Sequence, residues 1–92
     1  MDQQWLTSLK QFPIERLRFE HEKRQREIAH LDMEISRLAD LEDQIYQDVL
    51  RGHGGAEQGA RVSSQQFQLR QRIGELEGEM KAIEQVLESK WR

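Results

Sequence analysis

Two long segments with helix-period hydrophobicity, Ile14–Leu50 and Val62–Trp91, are separated by the glycine-rich sequence RGHGGAEQGAR. In both segments, apolar residues recur at alternating spacings of three and four, which is typical of helices that pack along a seam. The apolar seam positions are Ile14, Leu17, Ile28, Leu31, Ile35, Leu38, Ile45 and Val49 in the first segment and Val62, Leu69, Ile73, Leu76, Met80, Ile83 and Leu87 in the second. The first seam is interrupted by His21, Arg24 and Glu42, and the second is interrupted by Gln66 and ends at Lys90. The pattern predicts an all-α fold, an antiparallel two-helix coiled-coil hairpin.

The 92 residues predict a single domain that begins with a short amphipathic segment, residues 1–12. Helix 1 is expected over residues 13–50, a glycine-rich connector over 51–62 and helix 2 over 63–91. Pro13 is suited to the first position of helix 1, and Ser63 with Gln66 fits a capping box at the start of helix 2.

A chain reversal near residue 56 would place Val49 opposite Ser63 and His21 opposite Trp91. Residues before about position 20 would then have no partner on helix 2. Either segment 1–12 folds back over this overhang, or another chain covers it.

Charged residues make up 34% of the chain and apolar residues 36%, which favours a narrow seam over a broad core. Such a chain needs a partner or a second copy to complete its core. Residues 31–50 carry six acidic side chains against Arg37 alone. This distribution repels nucleic acid, so no nucleic-acid partner is expected. Mimicry of nucleic acid by the acidic face is an alternative that would need a denser array of charges.

Neither catalysis nor cofactor binding is expected. The chain has no cysteine, and His21, His30 and His53 lack the spacing of a zinc site, so no metal is predicted. No nucleophile stands in a recognisable arrangement with a base, and a two-helix hairpin offers no pocket of enzymatic size. The glycine-rich connector lacks the spacing of a phosphate-binding loop.

A soluble, cytoplasmic protein is expected. The N-terminal sequence has neither the basic region nor the apolar run of a secretory signal, and no apolar run approaches the ~20 residues that span a bilayer. Segment 1–12 as an interfacial membrane helix is a weaker alternative, because Lys10 is its single basic residue.

Several residues fall outside the seam and are candidates for binding a protein partner. Mid-helix glycine costs up to ~1 kcal/mol relative to alanine, so two glycines one turn apart in helix 2 suggest close approach by another helix. The alternative is that a stable coiled coil simply tolerates exposed glycine and phenylalanine. Large exposed apolar patches usually mark interfaces. The candidate partner-binding residues are Trp5, Leu6, Leu9, Phe12, Phe19, Phe67, Gly74, Gly78 and Trp91.

The stretch LRGHGGAEQGARVSSQQFQLRQRIGELEGEMKAIEQVLE combines a glycine-containing turn, the run Gln65–Gln68, and Leu76-Glu77-Gly78 with an amphipathic helix. In these elements it resembles the second half of the small helical-hairpin co-chaperones of bacterial type III secretion. The resemblance implies a cytoplasmic protein that pairs with a repeat-like chaperone and holds the needle subunit unassembled before export. Helix 1 is longer here than is usual in that family and the loop carries extra residues.

The sequence therefore leads to two main hypotheses. One is a non-enzymatic interaction module that masks an apolar surface of an export partner, with a secretion chaperone or needle-type cargo as its partner. The other is a structural protein, a homodimeric coiled-coil scaffold or spacer in which two hairpins pair into a four-helix bundle. The greater length of helix 1 also leaves open a coiled-coil stalk protein of an export ATPase.

Overall fold

The structure is a computed structural model that describes residues Asp2 to Trp91, and this part of the chain is helical without any strand. Its helices are α1 (Gln3–Gln11), α2 (Ile14–Leu50) and α3 (Ala56–Trp91). The predicted all-α class is confirmed. The chain divides into a first compact unit, Met1–Ile28 with Gly74–Arg92, and a second unit, Ala29–Ile73.

The N-terminal segment forms α1, with caps at both ends. The Asp2 carboxylate accepts a hydrogen bond from the Gln4 backbone N–H at 3.0 Å, as expected of an aspartate at a helix N-cap. At the other end Phe12 is extended, with φ −73° and ψ 140°. Proline disfavours helical geometry in the residue before it, so Pro13 explains why α1 ends here.

The long helix α2 begins one residue later than predicted. The Pro13 carbonyl accepts the hydrogen bond of the Leu17 N–H at 3.1 Å, so Pro13 is the capping residue and Ile14 is the first residue in the helix. The helix then continues to Leu50 as the periodicity predicts.

The connector is shorter than the predicted range 51–62, because α3 begins at Ala56. Gly52, Gly54 and Gly55 take positive φ values, a backbone conformation in which other residues are strained. Gly59, which the composition assigns to the loop, is helical and donates to the Gly55 carbonyl at 2.9 Å. A Cβ added at Gly59 would lie 3.7 Å from an Ile45 methyl group, an ordinary van der Waals distance, so this contact does not require glycine.

The expected capping box is absent, because Ser63 lies inside α3. Its hydroxyl instead donates to the Glu42 carboxylate at 2.7 Å. Similarly, His21 contacts Glu84 at 2.9 Å and not Trp91. Both contacts lie about two turns from the predicted partner.

The core of the first unit is built from all three helices. Leu9 of α1, Leu17 of α2 and Ile83 of α3 are each fully buried in one cluster. The partly buried residues around it are Trp5, Leu6, Phe12, Ala82, Val86 and Leu87. Of the two outcomes expected for the overhang, this chain takes the first, with its own N-terminal segment folded back over it.

The core of the second unit contains residues of α2 and α3 alone. Leu38, Ile45 and Val62 form a cluster, with Leu69 packed against it. Leu38 and Ile45 each retain 8% of their exposure, unlike the fully buried leucines of the first unit. Val49, predicted to lie in the seam, is 42% exposed, because it lies beside the glycine connector at Gly55 and α3 begins only at Ala56.

Candidate interaction surface

The packing of α1 changes the status of four candidate partner-binding residues. Leu9 is fully buried, so it is a core residue, and its assignment to a partner-binding surface is corrected here. Trp5, Leu6 and Phe12 are half-buried against the same cluster. The sequence places them on the apolar side of a short helix, and this side contacts the rest of the first unit.

A partly buried charge cluster joins α2 to α3 beside Trp5. Arg24 donates to Glu20 at 2.6 Å and to Glu79 at 2.8 Å, and its guanidinium lies 5.4 Å from the Trp5 ring centroid. Burial works against the charged form of Arg24, but the hydrogen bonds to both carboxylates outweigh it and raise the arginine pKa. The guanidinium therefore stays charged, and the cluster connects all three helices of the first unit.

Two aromatic candidates in the first unit remain exposed. Phe19 is 56% exposed, and Trp91 is exposed while lying 5.3 Å from the Arg18 guanidinium. A cation over an exposed aromatic ring contributes about 0.5–1 kcal/mol, so this contact orients Trp91 only weakly. Both rings are accessible to another molecule.

The glycine candidates differ from one another. Gly74 is exposed, and a Cβ added there would meet no atom within 4 Å. Gly78 is half-buried. Phe67, which precedes both on α3, is 61% exposed and belongs to the second unit. Within residues 2–91, no contact therefore requires glycine at position 74.

Most of the large exposed apolar side chains lie in the second unit. Besides Phe67 they are Met33, Leu41, Tyr46, Val49 and Leu50. These five were not among the candidates from sequence, although Met33, Leu41 and Tyr46 depart visibly from the seam pattern. Tyr46, Val49 and Leu50 have the i, i+3, i+4 spacing that makes side chains neighbours on one side of a helix. That spacing was a signal for an exposed patch.

Two of these residues flank the seam of the second unit. In the heptad pattern Leu41 and Tyr46 occupy the g and e positions, next to the seam on its two sides. We call the open face the exposed patch that Tyr46, Val49 and Leu50 form on one side of α2. A helix pair buries one strip per helix, so a third element is needed to cover the rest.

Gln66 is a polar residue in the seam of the second unit. Its side chain is 94% buried, given a residual exposure of 6%, and its amide nitrogen has no hydrogen-bond partner within residues 2–91. Leaving such a donor unsatisfied costs about 1–3 kcal/mol. A buried polar residue in a coiled-coil seam commonly sets register and oligomeric state at a cost in stability.

An open depression of about 470 Å³ lies beside the connector, lined by Ile45, Asp48 and residues 53–58. His53 and two carboxylates border it, but no three His, Cys, Asp or Glu side chains in residues 2–91 are placed so that together they could hold a metal ion. Among the helices of that same range, none is long and apolar enough to cross a bilayer. The depression offers no arrangement to which a reaction can be assigned.

Comparisons with protein-family models, with curated proteins and with solved structures each yield no match. The function proposed below therefore rests on the side-chain contacts and the exposed apolar residues described above.

Proposed function

We propose that this chain is a non-enzymatic protein-interaction module, an antiparallel coiled-coil hairpin that uses its open face to mask an apolar surface of a partner. The observation that carries the proposal is the exposure of large apolar side chains in the second unit, where Tyr46 is 58% and Leu50 is 64% exposed. Exposed apolar surface of this kind marks sites of protein interaction.

The antiparallel hairpin is supported by contacts between α2 and α3 in both units. In the first unit His21 contacts Glu84 and Arg24 contacts Glu79, so a later position in α2 meets an earlier position in α3. In the second unit Glu42 contacts Ser63. A connector with three glycines at positive φ is compatible with the required reversal.

The particular partner we propose follows from the resemblance to type III secretion co-chaperones. On this proposal the chain acts in the cytoplasm beside a repeat-like chaperone and keeps a needle-type subunit from assembling. No group of this chain is needed for chemistry; its contribution is to cover apolar surface until the partner is handed over.

The test is co-expression of the full chain with the repeat-type chaperones and needle-type subunits encoded in its source genome. A soluble complex of defined stoichiometry supports the proposal. Tyr46→Asp should abolish the complex because it places a charge on the open face. Phe19→Asp is the matched control, since Phe19 is exposed to a similar extent, 56% against 58%, in the first unit. Equal loss with both variants, or no complex with the unaltered chain, would contradict the proposal.

A second candidate function is the coiled-coil scaffold. It is favoured by the exposure of Tyr46 beside the second-unit seam, which a paired hairpin would cover. A scaffold would remain a dimer after the proposed partners are added, whereas a masking protein would exchange into a mixed complex.

A further inference from the structure

A groove of about 470 Å³ lies between α1 and α3 in the first unit. Its apolar lining is Leu6 of α1 together with Ala82 and Val86 of α3, and all three side chains are half-buried. These residues pack against the buried cluster of the first unit, so the floor of the groove is supported from the core side. Its other side still meets water, and an occupant that covers these apolar atoms gains free energy by removing them from it.

The charged residues that line this groove are both lysines. A lysine in the last turn of a helix complements the helix dipole, which accounts for Lys10 in α1 and for Lys90 in α3 taken one at a time. It does not account for their meeting at one groove to which no carboxylate contributes. The other polar lining residues are uncharged: Gln3, Thr7, Gln85 and Ser89. The groove therefore complements a negatively charged occupant.

Both lysines lie toward the same end of the groove, because α1 and α3 run in the same direction. Trp5 and Glu79 line one small depression, and Leu9 and Ile83, each four residues later, share one buried cluster. The lysines are the last residue of each helix to line the groove. The groove is thus apolar along its floor and positive at the end where both helices terminate.

We propose that this groove binds an amphipathic helix of a partner protein, one with an apolar stripe and with acidic side chains in its first turn. The α1 wall from Gln3 to Lys10 is about 10 Å long at 1.5 Å per residue, which accommodates about two turns of helix. A helix satisfies its own backbone hydrogen bonds, so the groove needs to supply only apolar contacts and charge. Acidic residues are favoured in the first turn of a helix, so the bound helix runs antiparallel to α1 and α3 with its N-terminus at the lysines. This site is distinct from the open face of the second unit.

An anionic membrane surface is the competing occupant, and the shape of the groove disfavours it. A helix that lies on a membrane presents a projecting apolar face and carries basic residues along its polar face. Here Leu6 and Val86 lie inside a concave groove, and the basic residues are confined to one end of it. A helix that inserts one apolar stripe fits this geometry.

The first experiment measures binding of synthetic helical peptides to the full chain by fluorescence anisotropy. The probe is an acetylated peptide of about 14 residues, with glutamates in its first turn followed by leucines at i, i+3, i+4 and i+7. Saturable binding is expected. A peptide with lysines in place of the glutamates should bind about tenfold or more weakly, because its charges repel those of the groove. A peptide with serines in place of the leucines should lose binding, because it leaves the groove floor in contact with water.

Reversal of the groove charges tests the same contacts from the side of the chain. Lys10→Glu with Lys90→Glu should weaken binding of the glutamate peptide by about tenfold or more and should strengthen binding of the lysine peptide. Lys23→Glu with Arg26→Glu is the matched control, since it makes the same change in net charge at exposed sites of the first unit outside the groove. The control should leave both affinities unchanged. Circular dichroism establishes that each variant remains helical; if the groove variant unfolds, the comparison of peptides on the unaltered chain decides.

The proposal is overturned if the glutamate peptide does not bind, if the lysine peptide binds equally well, or if the control variant weakens binding as much as the groove variant. Sedimentation of the chain with phosphatidylglycerol vesicles, without binding of the peptide, would overturn it in favour of a membrane. Failure here is distinguishable from failure of the proposed function. Tyr46→Asp alters the open face and should leave peptide binding intact, whereas the groove variant should still capture the secretion partners.

Discussion

Truncation of Leu9 tests whether α1 is an integral part of the fold. Leu9 is fully buried between Leu17 and Ile83, and it is the only residue of α1 in the buried cluster. Leu9→Ala removes three carbons at about 0.8 kcal/mol each, so transfer alone costs about 2.4 kcal/mol. The cavity left behind extends the expected loss to as much as about 5 kcal/mol.

The free energy with which α1 is docked limits this loss. A detached helix of nine residues is marginal in water, so a variant that releases α1 also unfolds it and loses helical signal. If docking is weaker than the cost of the cavity, α1 detaches before the long helices unfold. Fluorescence of Trp5 would then change first, and circular dichroism at 222 nm second.

The assay is urea denaturation followed by both signals, in a Trp91→Phe background so that emission comes from Trp5 alone. Leu50→Ala is the control, because it is the same change in a helix at a site that is 64% exposed. We expect the control to alter the free energy of unfolding by about 0.5 kcal/mol or less. If the shift for Leu9→Ala does not exceed that of Leu50→Ala, and Trp5 emission is unchanged, the packing argument is wrong.

Three further substitutions test other features of the fold. Gly55→Ala should destabilise the chain more than Gly54→Ala. Gly55 has φ +107° and its added Cβ would lie 3.2 Å from an Ile45 methyl group, whereas a Cβ added at Gly54 would meet no atom within 4 Å. Thermal melts of the two variants test this order. Gly74→Ala should stabilise α3 by about 1 kcal/mol, since the new methyl group meets nothing within 4 Å, and a destabilised variant would contradict that reasoning. The hydrogen bond and charge of Arg37 hold the pKa of Glu34 below its ordinary value of 4.5, so the stability from this pair is present above pH 4.5 and is lost as pH falls through the lowered pKa. Arg37→Ala should raise that pKa in an NMR titration, and an unchanged value would show that the pair does not form in solution.

Periodicity carried much of the helical prediction because it depends on local spacing. The bounds of α2 follow from apolar recurrence and from Pro13, and both signals lie within the segment itself. The start of α3 was less accessible. Gly59 indicates a loop by composition, but it is helical in the structure. Its neighbour there is Ile45, which is distant in sequence.

The candidate surface was predicted less well, for the same physical reason. Leu9 and Phe67 are equally apolar departures from the hairpin seam, yet Leu9 is fully buried and Phe67 is exposed. What separates them is the docking of α1, a tertiary contact that no local pattern encodes. Conversely, Val49 fits the heptad but is exposed, because heptad position does not determine where the facing helix begins.

The position of α1 has a consequence for the order of events on the ribosome. The core partner of Leu9, Ile83, lies 74 positions later in the sequence, and translation proceeds at about 5–20 residues per second. For several seconds the apolar side of this helix therefore has no Ile83 against which to pack. During that interval the apolar side of α1 is exposed to chaperones and neighbouring polypeptides. Once α3 is complete, Ile83 can cover it.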